Sequence, residues 1–469
     1  MSNLRPEYKL DPHQQVAVDF IMSRPGGGTA GWLDVGLGKS VVATECAAEW
    51  MSRPGANRCL ITCPAGLVED WRTKLLAYAG ITATLWDENP SGIGNGWRIV
   101  SHTLLQEPKK TAKVKRRNRV PEIIKWCPDI IINDEAHRLK SYKAAQTKGL
   151  ERIVRECRPA HRLALTGTPT TQINPEELRP QLLFVDRPLL EKHGVADWMG
   201  FRKKFCKIEK EWYGGTAVEK VVGYKNKAQL DELLANIAIC QSADLLKLPP
   251  QMFDTTYYRM SARASKYYRK MAVSGSILEP TLEVVTSNAL DRAVRCFQIR
   301  SGFVADFEHN DHDLDNTLDT TVVEMCRNTP MPLLCVYRFR HTGDRLEAAL
   351  KKEGYRIGHI RGGVEAGHKS YLEQHFQAGH LDIILGQYQA ISLGLTFTRG
   401  SHIIFAEPTF SLEEWTQTLG RIHRRGQTKT CFYHRVIENS TMDQDCYTAL
   451  ANKEDFADKL TRGLVRIAA

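Results

Sequence analysis

Lys39 and Ser40 follow two glycines in Leu33-Asp34-Val35-Gly36-Leu37-Gly38-Lys39-Ser40. Glycines at 36 and 38 let the backbone curl until successive N–H groups face one anion. Lys39 then lies beside the β- and γ-phosphates of a nucleotide, and the Ser40 hydroxyl reaches Mg²⁺. Leu33 stands where G-x-x-x-x-G-K-[ST] has its first glycine, so an ordinary glycine-rich turn competes with this reading. A second group of residues weighs against the turn. Asp134 and Glu135 end the apolar run Asp129-Ile130-Ile131-Ile132-Asn133, with His137 two residues on. Asp134 is placed to hold Mg²⁺ through water, and Glu135 to orient and polarise an attacking water. His137 could relay the nucleotide state to the next strand. An acidic pair after a strand can also be a helix cap, but Lys39 upstream favours phosphoryl chemistry. A third group is Arg421, Arg424 and Arg425 between Gln417 and Gln427. Arg421 and Arg424 are one helical turn apart and can point the same way. Read as phosphate ligands they explain the cluster better than as surface charges.

Such side chains need rigid elements to hold them. A helix should start at the phosphate loop and run through 41–48, its N-terminal dipole facing the anion. The run at 129–134 reads as a strand that delivers its acids at the C-terminal end, where ligands bind in open α/β sheets. Residues 58–64 form an apolar run ending at Pro64, a buried parallel strand. A helix over 65–76 follows, with Leu67, Trp71 and Leu75 on one side. Residues 98–101 and 162–165 are further strands. The latter feeds Thr166-Gly167-Thr168-Pro169, whose hydroxyls could sense a γ-phosphate or touch Glu135 and His137. Upstream, a helix begins around Pro12, with Val16, Phe20 and Ile21 sharing a face. The Gln14 amide in it carries donors and an acceptor that suit bidentate reading of adenine. A second α/β pattern spans 332–337, 356–360, 382–386 and 402–406, short apolar strands at the spacing of βαβ units.

Between the two patterns the reading is helical. In 175–248, Phe201, Phe205, Trp212 and Tyr213 alternate with Arg202, Lys203, Lys204, Lys207 and Lys210. Aromatics among lysines can stack on bases, but the core face of an amphipathic helix is the preferred reading. Leu248-Pro249-Pro250 is the clearest linker. Residues 256–300 also read as helix, with Tyr257, Tyr258, Tyr267 and Tyr268. Glu308, His309, Asp311, His312 and Asp313 are metal-ligand types, though their polar, irregular setting reads as a loop. Lys109, Lys110, Lys113, Lys115, Arg116, Arg117 and Arg119 make seven basic residues in eleven. They suit a solvated loop and a nucleic-acid phosphate contact together; a nuclear-import signal is a weaker reading.

A chain of 469 residues is long for one domain, so two or three are expected. Net charge of +10 suggests a polyanionic partner. The twelve cysteines include no C-x-x-C pair, which argues against a zinc ribbon and fits buried thiols in a reducing cytosol. No signal-peptide core or membrane-length apolar run is found, so no membrane partner is expected.

In chain order these pieces resemble the superfamily-two helicases, and specifically the Swi/Snf-type ATPases. Leu10-Asp11-Pro12-His13-Gln14 resembles the adenine-reading motif. Residues 34–40 resemble the family's D/E-x-G-L-G-K-T/S loop, which accounts for Leu33. Asp134-Glu135-Ala136-His137 (a DEAH box) and Thr166-Gly167-Thr168-Pro169 match motifs two and three. Ser392-Leu393-Gly394-Leu395-Thr396-Phe397-Thr398 resembles motif five, and 417–427 matches Q-x-x-x-R-x-H-R-x-G-Q. Gly420 replaces the usual aspartate and Thr396 the usual asparagine, departures that bear on coupling more than on hydrolysis. Phe405-Ala406-Glu407-Pro408 is similar to the annealing-helicase branch.

The resemblance implies an α/β chain of two tandem RecA-like lobes, parallel sheets flanked by helices, with helical protrusions near 175–245 and 256–325. The lobes would be 1–248 and 249–469, the second including a C-terminal helix. It implies ATP and Mg²⁺, with Gln14, Gly36, Gly38, Lys39, Ser40, Asp134 and Gln417 on the nucleotide and Ser40 and Asp134 on the metal. Glu135, Lys39, Arg421 and Arg424 would carry hydrolysis. The implied partner is DNA (duplex, fork or junction), held without sequence preference by a monomeric motor of minimal bacterial or phage type. Repair and recombination are the implied setting, cytoplasmic on the nucleoid or nuclear in a eukaryote. A strand-separating DNA or RNA helicase is the alternative. A scaffold with a degenerate ATPase is a third, disfavoured by the intact Lys39, Asp134, Glu135 and arginines.

Overall fold

The computed structural model describes residues 2–24, 27–88, 94–106, 118–139, 141, 144–170, 174–213, 216–280, 282–392 and 394–452. The chain divides into two compact units, Met1–Lys247 and Leu248–Ala469, at the Leu248-Pro249-Pro250 linker. None of the helices among the described residues is long and apolar enough to cross a membrane.

The first unit runs α1 (Pro12–Met22), β1 (Gly27–Leu33), α2 (Lys39–Met51), β2 (Arg58–Cys63), α3 (Val68–Ala79), β3 (Ala83–Leu85) and β4 (Gly96–Ser101). It continues with α4 (Val120–Trp126), β5 (Ile130–Asp134), α5 (Ala145–Cys157), β6 (His161–Thr166), α6 (Leu178–Lys192) and α7 (Trp198–Phe205). A hairpin, β7 (Cys206–Tyr213) and β8 (Thr216–Tyr224), precedes α8 (Lys227–Ala235) and β9 (Ala238–Gln241). Seven strands form one sheet in the order β3-β4-β2-β5-β6-β1-β9, every neighbouring pair parallel. Ile130, Ile131, Ile132, Leu163 and Leu165 are fully buried. Strands covered on both faces must be apolar throughout, which is why these runs stand out in the sequence. Strand β1 reads Gly-Gly-Thr-Ala-Gly-Trp-Leu for a different reason. A Cβ on Gly28 would come within 2.4 Å of the Val185 carbonyl oxygen, so α6 lies directly on the strand.

The second unit opens with β10 (Gln251–Tyr258), α9 (Ala262–Ser274), the hairpin β11 (Ser276–Glu279) and β12 (Leu282–Val285), and α10 (Ala289–Arg300). A second hairpin, β13 (Phe303–Ala305) and β14 (Asp311–Asp313), leads to α11 (Thr317–Asn328). Then come β15 (Leu333–Tyr337), α12 (Arg340–Lys352), β16 (Ile357–Ile360), α13 (Ala366–Ala378), β17 (Ile383–Gln387) and α14 (Tyr388–Ile391). The unit ends with β18 (His402–Phe405), α15 (Leu412–Leu419), β19 (Cys431–Glu438) and α16 (Asp443–Ala451). Its sheet, β10-β19-β18-β15-β17-β16, is also wholly parallel. A buried ion pair ties its elements together. Arg300 meets Asp443 at 2.8 Å and donates to the carbonyls of Ala406 at 2.8 Å and Val436 at 2.9 Å. A charge this deep is tolerated because it is both paired and hydrogen-bonded.

The structure corrects five expectations. The region 175–245 is helical only in part, since 206–224 is a hairpin and β9 joins the main sheet. Phe201 and Phe205 are core residues of α7, but Trp212 and Tyr213 lie on β7, where Lys207-Ile208-Glu209 already alternates with the period of a strand. The region 256–325 likewise mixes helices with two hairpins, and the aromatic and threonine-rich Thr255-Thr256-Tyr257-Tyr258 belongs to β10. Residues 308–313, read as a loop, include β14, whose Asp311–Asp313 pair with β13. In α1 the buried face is Gln14, Ala17, Val18 and Ile21, while Val16 is 57% exposed. Positions 14, 17, 18 and 21 share one side of a 3.6-residue helix, and 16 does not.

Candidate active site

Parallel strands send all their C-terminal loops to one edge of a sheet. On that edge of the first unit, β1 ends in the phosphate loop, β5 in Asp134 and β6 in Thr166. Because β6 pairs with both β1 and β5, the Thr166 turn lies between the phosphate loop and the acids.

Gly36 and Gly38 have φ of 94° and 82°, the left-handed conformation the loop requires. Gly38 also has a steric role, since a Cβ there would lie 2.3 Å from Gln14 Nε2. Gln14 is seated on the loop. Its Nε2 donates to the Leu37 carbonyl at 3.1 Å, and its Oε1 accepts the Asp11 N–H at 2.9 Å. Lys39 starts α2, and its ammonium donates to the carbonyls of Leu33 at 2.9 Å and Asp34 at 3.4 Å. No side chain caps α2 at Gly38 and no acid lies in its first turn, so its amide end suits a phosphate.

Asp134 is 6% exposed, and both carboxylate oxygens are oriented. Oδ2 accepts the Trp71 indole N–H at 2.8 Å, and Oδ1 accepts the Glu135 backbone N–H at 3.0 Å. Burial first, and the Glu135 charge second, push its pKa up to about 6; Trp71, Lys39 and Lys74 oppose the rise. Glu135 adopts φ of 52°, a left-handed non-glycine residue of the kind found at functional sites. Its Oε2 lies 3.3 Å from His137 Nδ1, which is 2.8 Å from Thr166 Oγ1. The anticipated contact from the acids to the next strand is therefore present. Thr166 Oγ1 also accepts the Thr168 N–H at 3.0 Å. Gly167 closes the other side, where a Cβ would sit 3.2 Å from the Leu33 carbonyl and 3.3 Å from Lys39 Nζ.

An oxygen-only pair, the Ser40 hydroxyl and the Asp134 carboxylate, fits the hard-ligand preference of Mg²⁺. Lys74 Nζ lies 3.5 Å from Ser40 Oγ and also bears electrostatically on Asp134, so both groups share one neighbourhood. Sequence reading gave no role to Lys74 or to the Trp71 N–H, nor to the layer beneath Asp134. There Asn133 Oδ1 is held by Thr62 Oγ1 at 2.7 Å and His102 Nε2 at 3.0 Å. Burial, reinforced by the Arg138 charge, lowers the His102 pKa to about 4, so it stays neutral. A buried indole N–H usually finds an acceptor, the one signal that could have pointed to Trp71.

In the second unit α15 stops at Leu419 with Gly420 as its cap, so Arg421 and Arg424 are not on a helix as expected. Turns bring them together instead. Arg421 donates to the Gln417 carbonyl at 2.8 Å and the Leu395 carbonyl at 2.6 Å, and Arg424 reaches Leu395 at 3.2 Å. Gln417 is buried. Gln427 Nε2 clamps the carbonyls of Thr398, Gly400 and Ile422 within 3.1 Å, which makes it structural.

Of the basic stretch, Lys109, Lys110, Lys113, Lys115, Arg116 and Arg117 lie outside the described residues. Arg119 pairs with Glu122 at 3.2 Å and Asp87 at 3.4 Å. Asp87 is remote in sequence and becomes a neighbour only in the fold. His312 pairs with Asp306 and His341 with Asp313, and the 308–313 segment gathers no metal-binding group. Among the described residues Asp344, Glu347 and His359 alone are clustered closely enough. Arg361, Lys351 and Tyr337 already engage them, which disfavours a metal.

Residues 13–301 match the SNF2-related domain and residues 316–426 the helicase conserved C-terminal domain. The chain is 25% identical over 480 residues to the bovine DNA annealing helicase and endonuclease ZRANB3, covering 97% of this chain and 41% of that protein. It is 23% identical to the uncharacterized ATP-dependent helicase YqhH of Bacillus subtilis, covering 97% and 80%. With the DNA repair protein rhp54 of Schizosaccharomyces pombe it shares 21% identity over 96% and 58%. The chain spans about a third of the mouse and human ZRANB3 proteins, 30% of each. A solved Sulfolobus solfataricus SWI2/SNF2 ATPase core in complex with dsDNA aligns over 100% of this chain and 98% of that one, at 16% identity and a TM-score of 0.43.

Proposed function

Because this chain belongs to the SNF2-related family of helicase-like ATPases, we propose that it is an ATP-driven motor that tracks along duplex DNA without separating the strands. The observation that carries the reading is the gathering of Lys39, Ser40, Asp134, Glu135 and Thr166 at one sheet edge. The loop amides and Lys39 bind the phosphates, and Gln14 braces the loop beneath an adenine. Ser40 and Asp134 would hold Mg²⁺, which when bound neutralises phosphate charge. Glu135, held beside His137, orients the attacking water and takes its proton. Arg421 and Arg424 are assigned to the charge that develops on the transferred phosphoryl group. Gln417 fixes Arg421 through its carbonyl.

The partner we propose is the DNA backbone, bound without sequence preference, since phosphate contacts carry no sequence information. Lys109, Lys110, Lys113, Lys115, Arg116 and Arg117 are its proposed ligands, with Arg119 left to its acids. Replacing four of the six by alanine should flatten the salt dependence of DNA binding by roughly 0.9 in log–log slope per lost contact. An unchanged slope would leave the segment a solvated insertion.

The deciding experiment compares ATPase stimulation by duplex, single-stranded, forked and four-way DNA and by RNA, with two strand-displacement assays. A duplex tracker displaces a triplex-forming third strand and migrates four-way junctions. Branch migration is near neutral in base pairing, so ATP supplies only direction there, whereas a tailed duplex regains no pairs and is left largely intact. Efficient unwinding of the tailed duplex without triplex displacement would assign the chain to the strand-separating helicases.

A further inference from the structure

Helix α3 has no part in the chemistry described so far, yet its side chains end on the metal-side groups. Trp71 is 1% exposed, and its indole N–H meets Asp134 Oδ2 at 2.8 Å. One turn on, Lys74 is tied to Asp70 at 2.6 Å and lies 3.5 Å from Ser40 Oγ. The helix is itself anchored, with Leu75 fully buried and Leu67 buried just before its start.

A carboxylate turns about its last torsion only by giving up the hydrogen bonds its oxygens accept, so each added donor fixes it further. Here a rigid indole holds one oxygen, and the Glu135 N–H holds the other at 3.0 Å. Each donor occupies one lone pair and leaves another. Rotation would break both bonds, so the remaining lone pairs keep one direction. The Glu135 N–H alone would oppose rotation with a single hydrogen bond from the adjoining residue; the indole adds a second, from a separate and buried element. We infer that Trp71 is a positioning residue that aims the Asp134 carboxylate at the divalent cation, so that α3 forms a third wall of the metal site. Outer hydrogen-bond partners of metal ligands commonly change metal affinity by about 10–100-fold. The inference rests on the ATPase reading above.

The test is direct binding of Mn²⁺, followed by electron paramagnetic resonance, with a non-hydrolysable ATP analogue at saturation. The decisive variant replaces Trp71 by 3-benzothienylalanine, which keeps the ring shape and lacks the N–H; Trp71→Phe is its companion. The metal Kd should rise about 10-fold or more, with thermal stability kept and nucleotide affinity in EDTA unchanged. If the phenylalanine variant fails to fold, the isosteric one still decides. A metal Kd within about twofold of wild type in the folded isosteric variant would overturn the inference and leave Trp71 a core residue. The ATPase reading fails by a different sign: the unaltered protein would show no Mn²⁺–nucleotide binding at all, and the inference would fall with it.

Discussion

Asp134→Asn should stabilise the protein in the absence of metal and nucleotide, and only above about pH 6. Burial and Glu135 raise the Asp134 pKa from 3.8 to about 6. A carboxyl group whose folded-state pKa lies above its unfolded value costs stability once ionised. The penalty is absent below the unfolded value, grows between the two and is complete above the folded one. It amounts to roughly 3 kcal/mol at pH 8 and roughly half of that at pH 5. Asparagine removes the charge but keeps only one good acceptor. It can satisfy Trp71 or the Glu135 N–H, and the loss costs roughly 1–2 kcal/mol. The net gain is about 1–2 kcal/mol at pH 8 and near zero at pH 5. For a unit of this size that is about 2–8 °C in Tm at pH 8. Thermal unfolding of both proteins in EDTA at the two pH values checks it, since titrating groups remote from Asp134 cancel in the difference. An asparagine variant less stable than wild type at pH 8, or a difference that ignores pH, would refute the claim that this carboxylate is held against its own preference. The gain should reverse with Mg²⁺ and ATP present, because only the aspartate binds the metal.

Glu135→Gln should retain ATP binding in a filter assay and lose phosphate release; full turnover would remove its assigned role. Gly167→Ala places a Cβ 3.2 Å from the Leu33 carbonyl and 3.3 Å from Lys39 Nζ. A displacement of tenths of an ångström should raise KM for ATP by about 3–10-fold with little change in Tm, and unchanged kinetics would show that the loop yields freely. Arg424→Ala should spare nucleotide affinity and cut kcat by about 10³-fold or more. Arg421→Ala should in addition lower thermal stability, because its two carbonyl bonds fix the turn after α15.

Much of the fold could be read from the chain because parallel strands buried on both faces write themselves as unbroken apolar runs. Ile130–Asp134, Leu333–Tyr337 and His402–Phe405 are of this kind. What escaped reading was written in another code. β1 carries a glycine at 28 in place of a large apolar residue because α6 leaves no room for a side chain there. The β7–β8 hairpin has the period of a strand, but its aromatics continue the Phe201 and Phe205 spacing of α7 and so imitate a helix. Arg421 and Arg424 have helical spacing without a helix, because Gly420 ends α15 one residue before them. The same division holds in the candidate site. Lys39, Asp134 and Glu135 announce themselves through local motifs. Trp71 could not, since its meaning lies in an acceptor 63 residues away.

Strand order explains why such distant groups meet. Asp134 and Trp71 are brought together because β2, which leads into α3, pairs with β5. Asn133 reaches Thr62 for the same reason and His102 because β4 pairs with β2 on its other side. His137 reaches Thr166, and Gly167 reaches the phosphate loop, because β6 lies between β5 and β1. Three neighbouring strand ends, those of β5, β6 and β1, therefore supply the acids, the base-side histidine, the sensing hydroxyl and the loop. None of them can shift along the sheet without breaking the hydrogen-bond register that sets the others. A side chain that must be aimed at a phosphate or a cation gains from this rigidity twice. Its direction is fixed before ligand arrives, and the cost of keeping Asp134 ionised in a buried place is met by the whole sheet instead of by a flexible loop. A change in any one strand end, such as a Cβ at Gly167, is then felt first at its immediate neighbours, Leu33 and Lys39, and only through them at Asp134.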